Sequence, residues 1–199
     1  MLPIGPLMIE HRLIEKMIAV IKKEIDRGEQ EKKINPEFID LAVDFIRIYA
    51  DRCHHGKEED ILFRELNKKP LSGEQKQIME ELIEEHRQGR MTVADLVEAK
   101  GRYLRGDPEA LPFMLNRMQF LVDFYPKHIE KEDRHFFLPV MNYFSPAEKE
   151  VMLAEEYEFD KNLIHLIYKE KIHQAGKTEA FGKTAAGPFI HNGIRNKFP

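Results

Sequence analysis

Two histidine–glutamate pairs stand out because the residues of each pair are four positions apart. His54 precedes Glu58, and His128 precedes Glu132. Positions i and i+4 lie on the same face of an α-helix, so each pair could present an imidazole and a carboxylate to one point. Imidazole and carboxylate together suit a transition metal such as iron, manganese or zinc. The alternative for either pair alone is a surface ion pair, worth about 0.2–0.5 kcal/mol.

Helical patterns place these pairs and two further histidines on apolar faces. His11 follows Leu7 at the spacing of a helical face, and His86 is flanked by Leu82. The second pair belongs to a three-four stripe that contains Leu121, Tyr125, His128, Glu132, His135 and Pro139. An unpaired carboxylate on a core-facing stripe would be costly, and a metal cation removes that cost. Six such ligands exceed a closed tetrahedral zinc site but are enough for two ions bridged by carboxylates.

The elements that must position these residues are all predicted to be helices. Capping patterns at Asn35-Pro36, Ser72–Gln75 and Ser145–Glu148 mark three helix starts. The predicted helices span roughly residues 5–28, 36–67, 73–100, 108–143 and 146–173. The fold class is therefore all-α: an up-down-up-down four-helix bundle with an additional C-terminal helix and an irregular tail. We assign residues 1–144 to the bundle, 145–175 to the C-terminal helix packed on it, and 176–199 to the tail.

Composition favours a soluble protein whose partners are small molecules. The chain has 199 residues, of which 42% are hydrophobic and 33% charged, with a net charge of −4. This balance lacks the basic excess of a nucleic-acid binder. Cys53 is the single cysteine, which suits a reducing compartment, and the N-terminal apolar run is too short to span a membrane. We therefore expect a cytoplasmic protein; its oligomeric state is left open.

Four segments together resemble the hemerythrin-like, or HHE cation-binding, family. They are IEHRLIE around His11, HHGKEEDILF from His54, EEHRQGR around His86 and HIEKEDRHFFLP from His128. They occur in order, one on each predicted long helix, and cover residues of roughly 8 to 140. The resemblance implies a four-helix bundle with a non-haem diiron centre that binds dioxygen or a related small ligand. The family includes oxygen carriers and sensors, nitric-oxide-linked and iron-repair proteins, and an iron sensor.

The resemblance also implies a ligand set. The metal ligands would be His11, His54, Glu58, His86, His128 and Glu132, with both glutamates bridging two iron ions; zinc or manganese could substitute. The residues alone leave open whether His54 with Glu58 or His55 with Glu59 faces the core, since the apolar phase of the second helix points nearer to His55. The family motif H-x-x-x-E-E selects His54 and Glu58.

The chain departs from the oxygen carriers at one position. Those proteins have H-x-x-x-H on the third helix, whereas here Arg90 follows His86. One histidine is thus missing from the pattern, and exchangeable coordination positions are expected. Further residues are candidate extra ligands or hydrogen-bond partners of the ligands: His55, Glu59, Tyr125, Asp133 and His135. The acidic runs EELIEE and AEEYE are interpreted as solvated helix faces.

Three functions are compatible with this pattern. The first is a protein that binds dioxygen, nitric oxide or peroxide at a diiron centre for storage, sensing or detoxification. The second is a redox enzyme that turns over peroxide or nitric oxide at the same centre. The third is iron homeostasis or repair. We expect a metal- and ligand-binding protein rather than a dedicated enzyme.

Overall fold

The computed structural model describes residues 1–184, and over that range the protein is helical without any strand. The helices are α1 (Ile4–Glu31), α2 (36–66), α3 (Gly73–Leu104), α4 (110–140) and α5 (Pro146–Thr184). Within α2, two segments are π-helical, Ile46–His55 and Glu58–Phe63. Within α4, the π-helical segment is Lys131–Phe136. The all-α prediction is confirmed, while the up-down-up-down order of the bundle stays a prediction.

The predicted capping residues begin three of these helices. The side chain of Asn35 accepts a hydrogen bond from the backbone N–H two residues later, at 3.0 Å. Ser72 Oγ and Ser145 Oγ each accept from the backbone N–H three residues later, at 3.2 Å and 3.3 Å. These bonds satisfy N–H groups that the first helical turn leaves without partners.

The C-terminal helix is longer than the sequence indicates. It was predicted to end near residue 173, but α5 continues to Thr184. Residues 176–184, assigned to the irregular tail, are therefore helical; the stretch contains two glycines, which weaken a helix, but no proline, which would break it. The rest of the predicted tail, 185–199, lies outside the described residues.

Two apolar clusters form the core, and the candidate ligands lie between them along each long helix. On α1, Leu7 belongs to one cluster and Ile14 to the other, with His11 between. On α4, Ile129 and Phe136 belong to different clusters and flank Glu132 in the same way. The helices thus bury a layer of histidine and glutamate side chains between two apolar layers.

The chain divides into two compact units, Met1–Asp160 and Lys161–Pro199. The candidate ligands all belong to the first, which includes the start of α5. There Gly56 permits close packing, because a Cβ at this position would lie 2.8 Å from Phe159 Cζ. In the second unit, residues 161–184 are helical. Among the residues described, no helix is both long enough and apolar enough to cross a membrane.

Candidate metal centre

A π-helical segment in α2 brings both of its adjacent histidines to the interior. In an α-helix, successive residues are about 100° apart, so His54 and His55 would point in different directions. A π-helix bonds i to i+5 and fits more residues into each turn, which reduces that angle. Within Ile46–His55 both side chains consequently reach the core; His54 is 1% and His55 2% exposed.

The π-helical segment in α4 changes the phase of that helix. Glu132 and Phe136 are fully buried, but His135 is exposed. The regular α-helical stripe predicted from the sequence continued through His135 to Pro139. The extra residue in the wide turn moves the inward position to Phe136 and Val140 instead. His135, a possible extra ligand or hydrogen-bond partner, is therefore exposed and does not face the interior with the other candidate ligands.

Seven buried side chains converge in two groups. His11, His54, Glu58 and Glu132 form the first, and the second consists of His55, His86 and His128. Within each group, one nitrogen or oxygen atom per residue lies within 4.8 Å of the others. The structure thus brings together all six ligands expected from the sequence and adds His55 to them.

The two glutamates face both groups at once. Glu58 Oε1 lies 3.4 Å from His54 Nε2 in the first group, and its Oε2 lies 3.4 Å from His86 Nε2 in the second. Glu132 Oε2 is 3.1 Å from His11 Nε2 in the first group, and its Oε1 is 3.3 Å from His128 Nε2 in the second. Each carboxylate therefore presents one oxygen to each group of imidazoles.

Among the described residues, the atoms that face this centre have no hydrogen-bond partner. They are the Nε2 atoms of His11, His54, His55, His86 and His128, and both oxygens of Glu58 and Glu132. Polar atoms buried without partners cost free energy. Cations coordinated by these atoms would satisfy all of them together.

The opposite ring nitrogen of every imidazole is held by a carboxylate. The Nδ1 contacts run from His11 to Asp133 (2.8 Å), His54 to Glu10 (3.0 Å), His55 to Asp51 (3.4 Å), His86 to Glu59 (2.6 Å) and His128 to Glu85 (2.8 Å). Such contacts fix the ring and turn Nε2 towards a metal. Glu59 and Asp133 therefore orient imidazoles and lie outside the two groups.

Residues 2–166 match the model of the hemerythrin HHE cation binding domain. The chain belongs to the hemerythrin HHE cation-binding family. No curated protein and no solved structure matches it. Five oriented imidazoles and two shared carboxylates form the kind of site that a cation-binding family is expected to have.

Protonation of this hemerythrin-like centre competes with metal binding. Burial alone would lower the pKa of His11, but the hydrogen bond to Asp133 and the nearby Glu132 carboxylate outweigh it and raise the pKa to about 10. For His55, burial and then the neighbouring His86 lower the pKa well below 6.5. Burial opposes ionisation of Glu132, yet His128 and the other imidazoles lower its pKa well below 4.5. A metal must displace the proton of His11, so binding releases protons and weakens at low pH.

Replacing Glu85 by glutamine is expected to weaken metal binding about 10- to 100-fold. The amide presents a weaker acceptor to His128 Nδ1 and loses the ion pair with Lys131, now 2.6 Å long. Chelator competition would measure the affinity. Glu84→Gln is the matched control, because Glu84 is exposed and pairs only with Arg87 at 3.2 Å. Equal affinities for the two variants would contradict the orienting role.

A buried lysine connects the centre to α5. Lys57 is fully buried, and its ammonium group donates to Glu10, which also orients His54, and to Asp160. Burial opposes its charge, but the bond to Glu10 raises the pKa of Lys57 above its usual value. Glu10, Cys53 and Asp160 are close enough to hold a metal. Because the ammonium already bonds both carboxylates, it supplies the positive charge there.

The sequence did not indicate this network, since its partners are up to 103 residues apart and carry no local signal. The structure also changes one interpretation of the sequence. The acidic runs are only partly solvated: Glu85 is half-buried and Glu156 is 1% exposed. Cys53 contacts Asp160 at 3.3 Å, and burial raises the pKa of its thiol to about 12, which disfavours a reactive thiolate.

Glu156 is expected to make the stability of the metal-free protein pH-dependent. Neither of its carboxyl oxygens has a hydrogen-bond partner, and burial raises its pKa from 4.5 to about 8. Folding therefore takes up a proton between these pH values. Its contribution to stability is complete below pH 4.5 and is lost as the pH rises through about 8.

Glu156→Gln removes that titration. Between pH 5.5 and pH 8.5, the free energy of unfolding of the variant should rise relative to that of the wild type by on the order of a few kcal/mol. Urea unfolding at several pH values measures the difference. Glu155→Gln is the control, because the exposed Glu155 carboxylate pairs with Arg64. The free energy of unfolding of this variant should decline with pH as that of the wild type does. An equal decline in both variants would refute the assignment.

Proposed function

We propose that this protein holds a carboxylate-bridged diiron centre and binds dioxygen, nitric oxide or peroxide there. One observation carries the proposal: nine buried atoms, five from oriented imidazoles and four from two shared carboxylates, have no hydrogen-bond partner in the part of the chain that the structure describes. Mixed nitrogen and oxygen donors suit iron, with zinc and manganese as possible substitutes. Carboxylate and histidine ligands projecting from several helices of a bundle are the arrangement in which dinuclear iron is commonly held.

The donors are distributed unequally, and this favours ligand binding. With Glu58 and Glu132 shared, one ion would receive four protein atoms, two of them from His11 and His54. The other would receive five, because His55 joins the other two imidazoles. An ion with fewer protein ligands keeps a position for an exogenous molecule. When bound, the iron would supply reversible coordination and electron transfer to that molecule.

The protein contributes orientation, charge and exclusion of water. Carboxylates hold the Nδ1 atoms, so the imidazoles need not reorganise when a ligand binds. His11 stacks on Phe137 with ring centroids 5.7 Å apart, which closes one side of the first group with an apolar surface. These features suit a centre for storage, sensing or detoxification of a small ligand. We expect this role in preference to that of a dedicated redox enzyme or an iron-repair protein.

Anaerobic loading with ferrous iron, followed by exposure to each ligand, tests the proposal. Reversible binding predicts a spectral change complete at about one ligand per centre and undone by degassing. Continuous consumption of peroxide or nitric oxide with added reductant would instead establish the redox enzyme. Loss of iron to an apoprotein acceptor without ligand-dependent spectra would favour iron homeostasis or repair. Zinc bound in preference to iron, with no response to any ligand, would contradict all redox roles.

A further inference from the structure

A cavity of about 100 Å³ lies beside the three-histidine group. Its wall includes the rings of His55 and His86, which are stacked with centroids 3.9 Å apart, together with Gly89, Arg90 and Tyr125. The volume admits a ligand of a few non-hydrogen atoms. The cavity adjoins the ion with five protein donors, so it is distinct from the free position on the other ion.

Gly89 keeps this space open and has no packing reason to be glycine. Glycine inside a helix is destabilising relative to alanine. A Cβ at Gly89 would lie 3.9 Å from Phe124 Cε1, an ordinary contact, whereas at Gly28 and Gly56 it would lie only 3.0 and 2.8 Å from a neighbour. The absence of a side chain at Gly89 therefore serves the cavity and not the approach of another helix.

Tyr125 supplies an unused hydrogen-bond donor at the cavity wall. The side chain is 1% exposed, and among the described residues its hydroxyl group makes no hydrogen bond. Burial raises the pKa of Tyr125 above its usual value, so the hydroxyl keeps its proton. The hydroxyl oxygen is not one of the fully buried atoms that lack a partner, so a molecule in the cavity can reach it. A molecule in the cavity that accepts a hydrogen bond would satisfy it.

Charges at the cavity rim balance one another. Arg47 and Asp51 contribute to the lining, and Arg90 pairs with Asp51 and Glu59 at 2.7 Å each. Arg90 and Asp51 thus neutralise each other, and the third charged side chain of the lining, Arg47, is exposed to solvent. The rim selects neither anions nor cations, which favours an uncharged ligand.

We propose that this cavity binds a small uncharged hydrogen-bond acceptor of the size of hydrogen peroxide. Gly89 sets the size limit, and Tyr125 donates the hydrogen bond. The proposal rests on the proposed function, which gives the reason why the protein needs such a ligand. The cavity itself is a property of the metal-free chain and is tested separately.

Xenon binding to the metal-free protein, measured by xenon NMR, tests the space. Wild type should show saturable binding, and Gly89→Leu should abolish it. Gly101→Leu is the control on the same helix, because a Cβ there would meet only the flexible end of Arg105; it should bind xenon as wild type does. If Gly89→Leu does not fold, Gly89→Ala should weaken binding. No xenon binding by the folded wild type, or binding unaffected at Gly89, overturns the proposal.

Oxidation of the ferrous iron-loaded protein by hydrogen peroxide tests the ligand. Gly89→Leu should slow the reaction at low peroxide at least 10-fold, while Gly101→Leu leaves it unchanged. Tyr125→Phe should raise the half-saturating peroxide concentration several-fold with little change in the maximal rate. Wild-type kinetics in both Gly89→Leu and Tyr125→Phe would overturn the assignment. If the protein takes up no iron, the proposed function fails, and the xenon result alone decides whether the cavity binds ligands.

Discussion

Glu132→Ala is expected to reduce iron binding from two ions per chain to one at most. The Glu132 carboxylate lies between both groups of imidazoles, 3.1 Å from His11 Nε2 and 3.3 Å from His128 Nε2. Its removal would take one donor atom from each ion, together with a negative charge that attracts both ions. A ligand at 100 times its dissociation constant stabilises a folded protein by about 2.7 kcal/mol, or roughly 5–10 °C in Tm for a chain of this size. The variant should lose most of that iron-dependent increase.

Iron analysis and melting curves with and without ferrous iron measure both effects. Glu130→Ala controls for removal of an acid from the same helix, since Glu130 is exposed and pairs with Arg134 at 2.8 Å. Glu132→Gln preserves side-chain volume and separates lost coordination from a cavity. Two irons per chain and an unchanged increase in Tm in Glu132→Ala would show that this carboxylate is not a bridge.

His55→Ala is expected to weaken binding of the second ion by at least about 100-fold. An imidazole ligand contributes more than the supporting carboxylates, whose loss costs about 10- to 100-fold. The remaining protein donors of that ion would be two imidazoles and the two shared glutamates. Stepwise iron titration under anaerobic conditions would resolve one tight and one weak site. His135→Ala is the control. Because His135 is exposed, this variant should bind both ions as the wild type does.

A second-site change can rescue this variant. Arg90 lies four residues after His86 on α3 and lines the same cavity as His55. Arg90→His added to His55→Ala therefore places an imidazole on the correct helix face, and part of the lost affinity should return. Unchanged iron affinity in His55→Ala alone would assign His55 a structural role and refute its place among the ligands.

Regular helices account for what the sequence predicted well. The α1 stripe, with Ile14 and Ile18 following His11, is buried as expected because that helix keeps 3.6 residues per turn. The capping residues Asn35, Ser72 and Ser145 act locally, so short-range patterns identify them. The six ligands that the family resemblance implies converge in the structure.

Departures from regular geometry account for what was missed. Hydrophobic periodicity does not locate a π-helical turn, so the sequence offered His135 as a possible site residue and left open whether His54 or His55 faces the core. The carboxylates that orient imidazoles from other helices, such as Glu10 and Glu85, are contacts between distant segments. Their spacing resembles that of solvated acids, and only the packed helices separate the two cases.

Iron content combined with Mössbauer spectroscopy of the iron-loaded protein tests the central claim most directly. A centre bridged by Glu58 and Glu132 predicts about two irons per chain that are magnetically coupled to each other, together with a visible spectrum that changes on oxidation. One uncoupled metal ion per chain, or no bound metal and a Tm that iron does not change, would contradict it. In that case the partnerless atoms of the five imidazoles and two carboxylates would require another explanation.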